Sequence, residues 1–167
     1  MTSSKGANIC FNGNFYRFVT MSKGVLWYAD PGMQTKYLDP DVADSELGCL
    51  LRVTLAASRQ VSVEDFHKIL NSRIVQERAK EQEKWEMKNY GYKTKKAMLR
   101  SMDSCSVSAL VESEEIKIQP MHQKSLDGYT ARKDTGPFPL FVPNTATDAE
   151  LGAALREGFK RCTSSIR

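Results

Sequence analysis

A chain of 167 residues, 41% apolar, with 24 basic and 20 acidic side chains, is long enough for one packed domain without metal or disulfide support. No run approaches the ~18 apolar residues of a membrane span, and the N-terminal stretch "MTSSKGANICFNGN" lacks the apolar run of a secretory signal, so a cytoplasmic protein is expected. Four widely spaced cysteines and two histidines assemble no zinc pattern, which leaves reduced thiols packed as small hydrophobes, with Cys49 and Cys162 inside helices.

In chain order, residues 1–13 read as a disordered tail ahead of a domain spanning 14–163, with 164–167 as a short C-terminal tail. The segments "NFYRFVT" (14–20) and "VLWYA" (25–29) are rich in aromatic and β-branched residues and flank the turn "MSKG", which predicts a strand pair. "DPG" (30–32) is a further turn, "TKYL" (35–38) a short strand, and "DPDVAD" an entry into a helix.

That helix has a clean period. Leu47, Leu50, Leu51, Thr54, Leu55 and Ser58 share one face, and 104 positions downstream the same face returns as Leu151, Ala154, Leu155, Gly158, Phe159 and Cys162. Upstream, "KYLDPD" has its counterpart in "LFVPNT", so the repeated unit is strand, loop with proline, helix. Thr147 and Glu150 make a capping box for the second copy, whereas Ala43 holds the equivalent position in the first and leaves the charge to Asp41 or Asp44. Gly48 and Gly152 lie one turn inside their helices, where glycine costs ~1 kcal/mol relative to alanine. The expected return is close approach of each helix to a neighbouring backbone.

Between the copies, residues 64–90 read as one long helix with a thin apolar stripe, broken at Gly91 and followed by a second helix over 93–102. Segments 106–112 and 115–121 alternate as a hairpin, 123–137 reads as a turn-rich loop, and "PLFV" (139–142) is the last strand. The sum is a single α+β domain: a mixed or antiparallel sheet of five or six strands packed by helices, with a repeated strand–loop–helix unit.

A search for catalytic chemistry yields little. His67 lies in a helical pattern beside Phe66, and His122 in "PMHQK" matches no nucleophile–base signature, so a hydrolase centred on His122 is disfavoured. The acids of "ESEE" (112–115) have no apolar neighbours to raise one pKa. Charge is uneven: residues 71–100 carry nine basic side chains against four acidic, and residues 101–130 carry two against five. Segment 84–100 interleaves Lys84, Lys88, Lys93, Lys95, Lys96 and Arg100 with Trp85, Tyr90 and Tyr92, a pattern that suits phosphate neutralisation and base stacking. The plainer reading seats those aromatics on the core.

Three segments, "YGYKTKKAMLRSMDSC" (90–105), "IKIQPMH" (116–122) and "TDAELGAALREGFKRC" (147–162), together with "ADPGMQTKYLDPDVADSELG" (29–48), resemble in order and spacing the immunity proteins of bacterial contact-dependent growth inhibition. The resemblance implies a cytoplasmic, non-enzymatic inhibitor without cofactor or metal. Such a protein forms a one-to-one complex with the C-terminal toxin domain of its cognate exoprotein, commonly a nuclease, and touches neither membrane nor nucleic acid. On that reading Glu112, Glu114, Glu115 and Asp127 would mimic phosphate, Tyr90 and Tyr92 would anchor the partner, and Lys93 and Lys95 would pair with its carboxylates. The alternative is a nucleic-acid-binding module using residues 84–100.

Overall fold

The computed structural model describes residues 4–110, 112 and 114–167. Its frame is an antiparallel sheet of seven strands: β1 (Ser4–Phe11), β2 (Tyr16–Lys23), β3 (Trp27–Ala29), β4 (Lys36–Leu38), β5 (Asp103–Leu110), β6 (Glu115–Pro120) and β9 (Leu140–Pro143). The order is β3-β2-β1-β5-β6-β9, with β4 pairing the other half of β2's outer edge. Two hairpins, β1–β2 and β5–β6, meet along β1–β5, and each continues into a short edge strand and a helix. These helices are α1 (Asp44–Ala56) and α5 (Asp148–Arg161), the duplicated unit of the sequence.

Both helices lie on one face. Their leucines, with Phe159, meet Ala7, Ile9, Tyr16, Phe18, Cys105, Val107, Ile116 and Ile118 in the main core. The capping box of α5 is present, with the Thr147 hydroxyl accepting from the Glu150 amide at 3.1 Å and the Glu150 carboxylate from the Thr147 amide at 3.1 Å. Ala43 provides no cap, and α1 begins with Asp44 and Glu46 in its first turn. The duplication extends to the flanks. Arg52 Nε pairs with Asp148 at 2.9 Å and its guanidinium donates to the Ala146 carbonyl, while Arg156 Nε pairs with Asp44 at 2.9 Å and its guanidinium donates to the Val42 carbonyl.

The opposite face is covered unevenly by α2 (Val63–Ser72), α3 (Ile74–Tyr90) and α4 (Lys95–Leu99). A second cluster there joins Cys10, Phe15, Met98, Leu99 and Met102 with Tyr37, Met87, Tyr90, Tyr92 and Leu126.

Several expectations are corrected. The first thirteen residues do not form a tail: residues 1–3 lie outside the described set, but Ser4–Phe11 is the central strand. Sandwiched between the two layers, it needs small residues rather than alternation, and a Cβ on Gly6 would stand 2.7 Å from the Trp27 ring. The single helix over 64–90 is two, because Arg73 adopts φ 60° and ends α2 with its amide on the Leu70 carbonyl. Ser72 favours the break: its hydroxyl donates to the Ile69 carbonyl and accepts from the Ile74 amide, offering the backbone an alternative to helix. The loop 123–137 holds a hairpin of β7 (His122–Ser125) and β8 (Gly128–Thr130), turned at Leu126–Asp127. The C-terminal residues are ordered too. Strand β10 (Thr163–Ser164) runs parallel to β7, and Arg167 pairs with Asp103 and donates to Gln123. Cys49 is exposed rather than packed.

Candidate functional site

Helix α3 turns a single face toward the sheet, carrying Val75, Arg78, Ala79, Gln82, Trp85 and Glu86, yet among them only Glu86 is buried. The helix is tied down at its C-terminal end and stands off the sheet elsewhere. The space beneath is an open groove of about 1050 Å³ between α3 and strands β2, β3 and β4. Its apolar floor comes from Val19, Met21, Ala29 and Met33, and its walls from Arg78, Glu81, Gln82, Lys36 and Trp85. Trp85 is 46% exposed, with its ring stacked on Tyr37 at 4.5 Å between centroids.

Two buried polar networks hold the groove open. In the first, Glu86, fully buried, accepts from Arg17 Nε at 2.8 Å and Nη2 at 2.7 Å, a two-pronged charge pair, and from the Tyr37 hydroxyl at 2.7 Å. Burial and the adjacent Glu86 carboxylate push the Tyr37 hydroxyl well above the usual phenol range, so it remains a donor. In the second, the buried Asp30 carboxylate accepts from Ser22 Oγ at 2.6 Å, the Gly32 amide at 2.9 Å, and Arg59 Nε at 2.7 Å. Burial alone would raise its pKa. The bonds from Arg59, Ser22 and Gly32 overcome that and hold it below its ordinary value.

The residues singled out in the sequence do not converge on one site. Glu112, Glu114 and Glu115 are exposed at the β5–β6 turn, beyond the Leu110 end of β5. Tyr90, Tyr92, Lys93, Lys95 and Asp127 gather near the other end of the sheet, by the β1–β2 turn and α4. Tyr90 is half-buried and stacks on Phe15 at 4.2 Å. The Tyr92 hydroxyl accepts from Asn12 at 2.9 Å and from Asn14. Lys95 sits between Glu83 at 3.4 Å and Asp127 at 3.6 Å, and Lys93 is exposed. Tyr90 and Tyr92 thus pack against the fold, whereas Trp85 stays exposed. His122 donates to or accepts from Thr163 at 2.7 Å and Ser165 at 2.6 Å, anchoring the C-terminal residues. Among the described residues no group of His, Cys, Asp or Glu is placed to hold a metal ion, and no helix is long and apolar enough to cross a membrane.

The sequence reading missed the groove. The available signal was Arg17: an arginine amid "NFYRFVT", on the face opposite Tyr16 and Phe18, needs a buried acid from elsewhere.

The comparisons agree with this architecture. The family model described as CdiI, CDI immunity protein, matches residues 5–162. The immunity protein CdiI-YPIII of Yersinia pseudotuberculosis serotype O:3 is 30% identical, with 97% of each chain covered. A chain of the CdiA-CT/CdiI toxin and immunity complex from Yersinia pseudotuberculosis superposes with a TM-score of 0.84 at 26% identity, over 96% of this chain and 98% of that one. NMB0488 of Neisseria meningitidis, a protein of unknown function, shares the fold at a TM-score of 0.85 and 22% identity over 96% of each chain. On the match over residues 5–162, the chain belongs to the CDI immunity protein family.

Proposed function

We propose that this protein neutralises the C-terminal toxin domain of its cognate exoprotein by forming a tight one-to-one complex in the cytoplasm, without catalysis. The observation that carries the reading is family membership across nearly the whole chain, joined by the likeness to a chain of a toxin and immunity complex. The groove under α3 is the contact surface we assign. Its floor is apolar, its walls offer charges of both signs, and exposed Trp85 supplies the aromatic anchor that such interfaces favour.

The toxin in this proposal is a nuclease. Glu112, Glu114 and Glu115 form an exposed acidic turn suited to steer a basic, phosphate-binding cleft toward the complex. Lys93, Lys95 and Asp127 are secondary contacts at the far end of the sheet, and Tyr90 and Tyr92 support them from within.

Co-expression tests the function. Cells making the cognate toxin domain should survive only when this chain is made with it, and purified toxin should lose its nucleic-acid cleavage at one equivalent. Survival with an unrelated immunity protein, or undiminished cleavage in the presence of excess chain, would overturn the reading.

A further inference from the structure

Cys105 in β5 and Cys162 at the end of α5, 57 positions apart in the chain, bring their sulfur atoms to 3.9 Å. Cys105 is fully buried in the main core, whereas Cys162 is half-buried and packs against that core's margin. The Ser104 and Gly158 carbonyls, 3.4 and 3.6 Å away, fix the position of Cys162 Sγ. Cys10 lies in the other cluster and Cys49 is exposed on α1.

We propose that Cys105 and Cys162 are a modification site for a hydroperoxide, closing to a disulfide that ties the end of α5 to β5. The sulfurs must approach from 3.9 Å to the ~2.0 Å of a bond. The asymmetry of the pair suits the two steps. Cys162 is the less buried of the two and the one a peroxide reaches first, while the contact with Cys162 and burial push the Cys105 thiol well above its ordinary value. Cys162 thiolate attacks the peroxide, the O–O bond breaks, and the departing oxygen takes a proton to leave as an alcohol or water. Cys105 sulfur then attacks the sulfenic acid on Cys162. The S–O bond breaks as the S–S bond forms, and the hydroxyl leaves with the Cys105 proton as water. Two thiols lose two electrons and one peroxide gains them. In a reducing compartment the bond would be transient and would report oxidant. The pair lies on the helix face, away from the groove, so this inference stands apart from the toxin-binding proposal.

The test uses full-length protein carrying Cys49→Ser, which removes the exposed competing thiol. The folded protein is exposed to hydrogen peroxide, and remaining thiols are alkylated under denaturing conditions. The expected product has lost two hydrogen atoms, yields a cross-linked Cys105–Cys162 peptide, and melts about 10 °C higher until a thiol reductant is added. With Cys105→Ser added, a cyclic 1,3-dione should trap a sulfenic acid at Cys162. Complete alkylation of both thiols after peroxide, or sulfinic acid on Cys162 beside a free Cys105, would overturn the proposal. If Cys105→Ser does not fold, the peptide map of the Cys49→Ser protein still decides.

Discussion

Gly48 of α1 and Gly152 of α5 sit at the crossing of the two helices, each against the other's backbone. A Cβ on Gly48 would fall 1.8 Å from the Asp148 carbonyl oxygen, and one on Gly152 would fall 1.8 Å from that of Asp44. The helix propensity lost at two glycines is exchanged for a close crossing that brings Arg52 to Asp148 and Arg156 to Asp44. Gly152→Ala must therefore push the helices apart, at about 3 kcal/mol as judged by urea denaturation, despite the better helix former. Gly48→Ala should cost as much alone and clearly less on top of Gly152→Ala, because the helices are already separated.

Glu86 is the only buried residue of α3, and it lies between Arg17 and the Tyr37 hydroxyl. Glu86→Gln leaves the Arg17 charge enclosed without a counter-charge, and chemical denaturation should register a loss of about 3 kcal/mol. Replacing both partners, as Arg17→Met with Glu86→Leu, should cost less than Glu86→Gln alone. A double variant as unstable as the sum of its single changes would show that the network holds the fold by more than charge.

Asp30 fixes the turn that frames the groove, and its pKa in the folded protein lies below the ordinary 3.8. A depressed carboxyl contributes stability that is fully present above the unfolded value and is lost as pH falls through the folded one. The stability gap between the parent and Asp30→Asn should stay level from neutral pH down to about pH 5, then narrow from about pH 4 downward. Thermal melts across that range measure it.

The exposed acids of the β5–β6 turn should act on encounter. Combined Glu112→Lys, Glu114→Lys and Glu115→Lys should slow toxin association about tenfold at low salt, and added salt should shrink the difference. Stopped-flow binding separates this from any change in dissociation. An unchanged association rate in a folded variant would remove the turn from the interface.

The duplicated helices were legible because each buries one stripe against one layer, so leucines recur at helical spacing and Thr147 announces its cap. Strand β1 was not. Covered on both sides, "SKGANICF" shows neither alternation nor β-branched enrichment, and its small residues answer to Trp27 and the second cluster rather than to any local rule. The break at Arg73 was hidden for a similar reason: the strong helix formers on either side outweigh a serine whose competing hydrogen bonds show only in three dimensions. The groove was the least legible. In "EQEKWEMK" nothing local separates Glu86 from its solvated neighbours, because the residue that selects it, Arg17, lies 69 positions away. The turn at Leu126–Asp127, just before Gly128, joins two strands within a segment taken for loop.

Ala79 offers the most direct test of the groove. It is exposed on α3, lines the cavity, and can accept arginine, itself a good helix former, without burial of the new charge. Titration calorimetry of the cognate toxin domain should give one-to-one binding at about 10 nM or tighter with the parent chain, and at least a hundredfold weaker binding with Ala79→Arg at unchanged melting temperature. Equal affinity of the two proteins, with Ala79→Arg fully folded, would contradict the assignment of the groove as the toxin-binding surface.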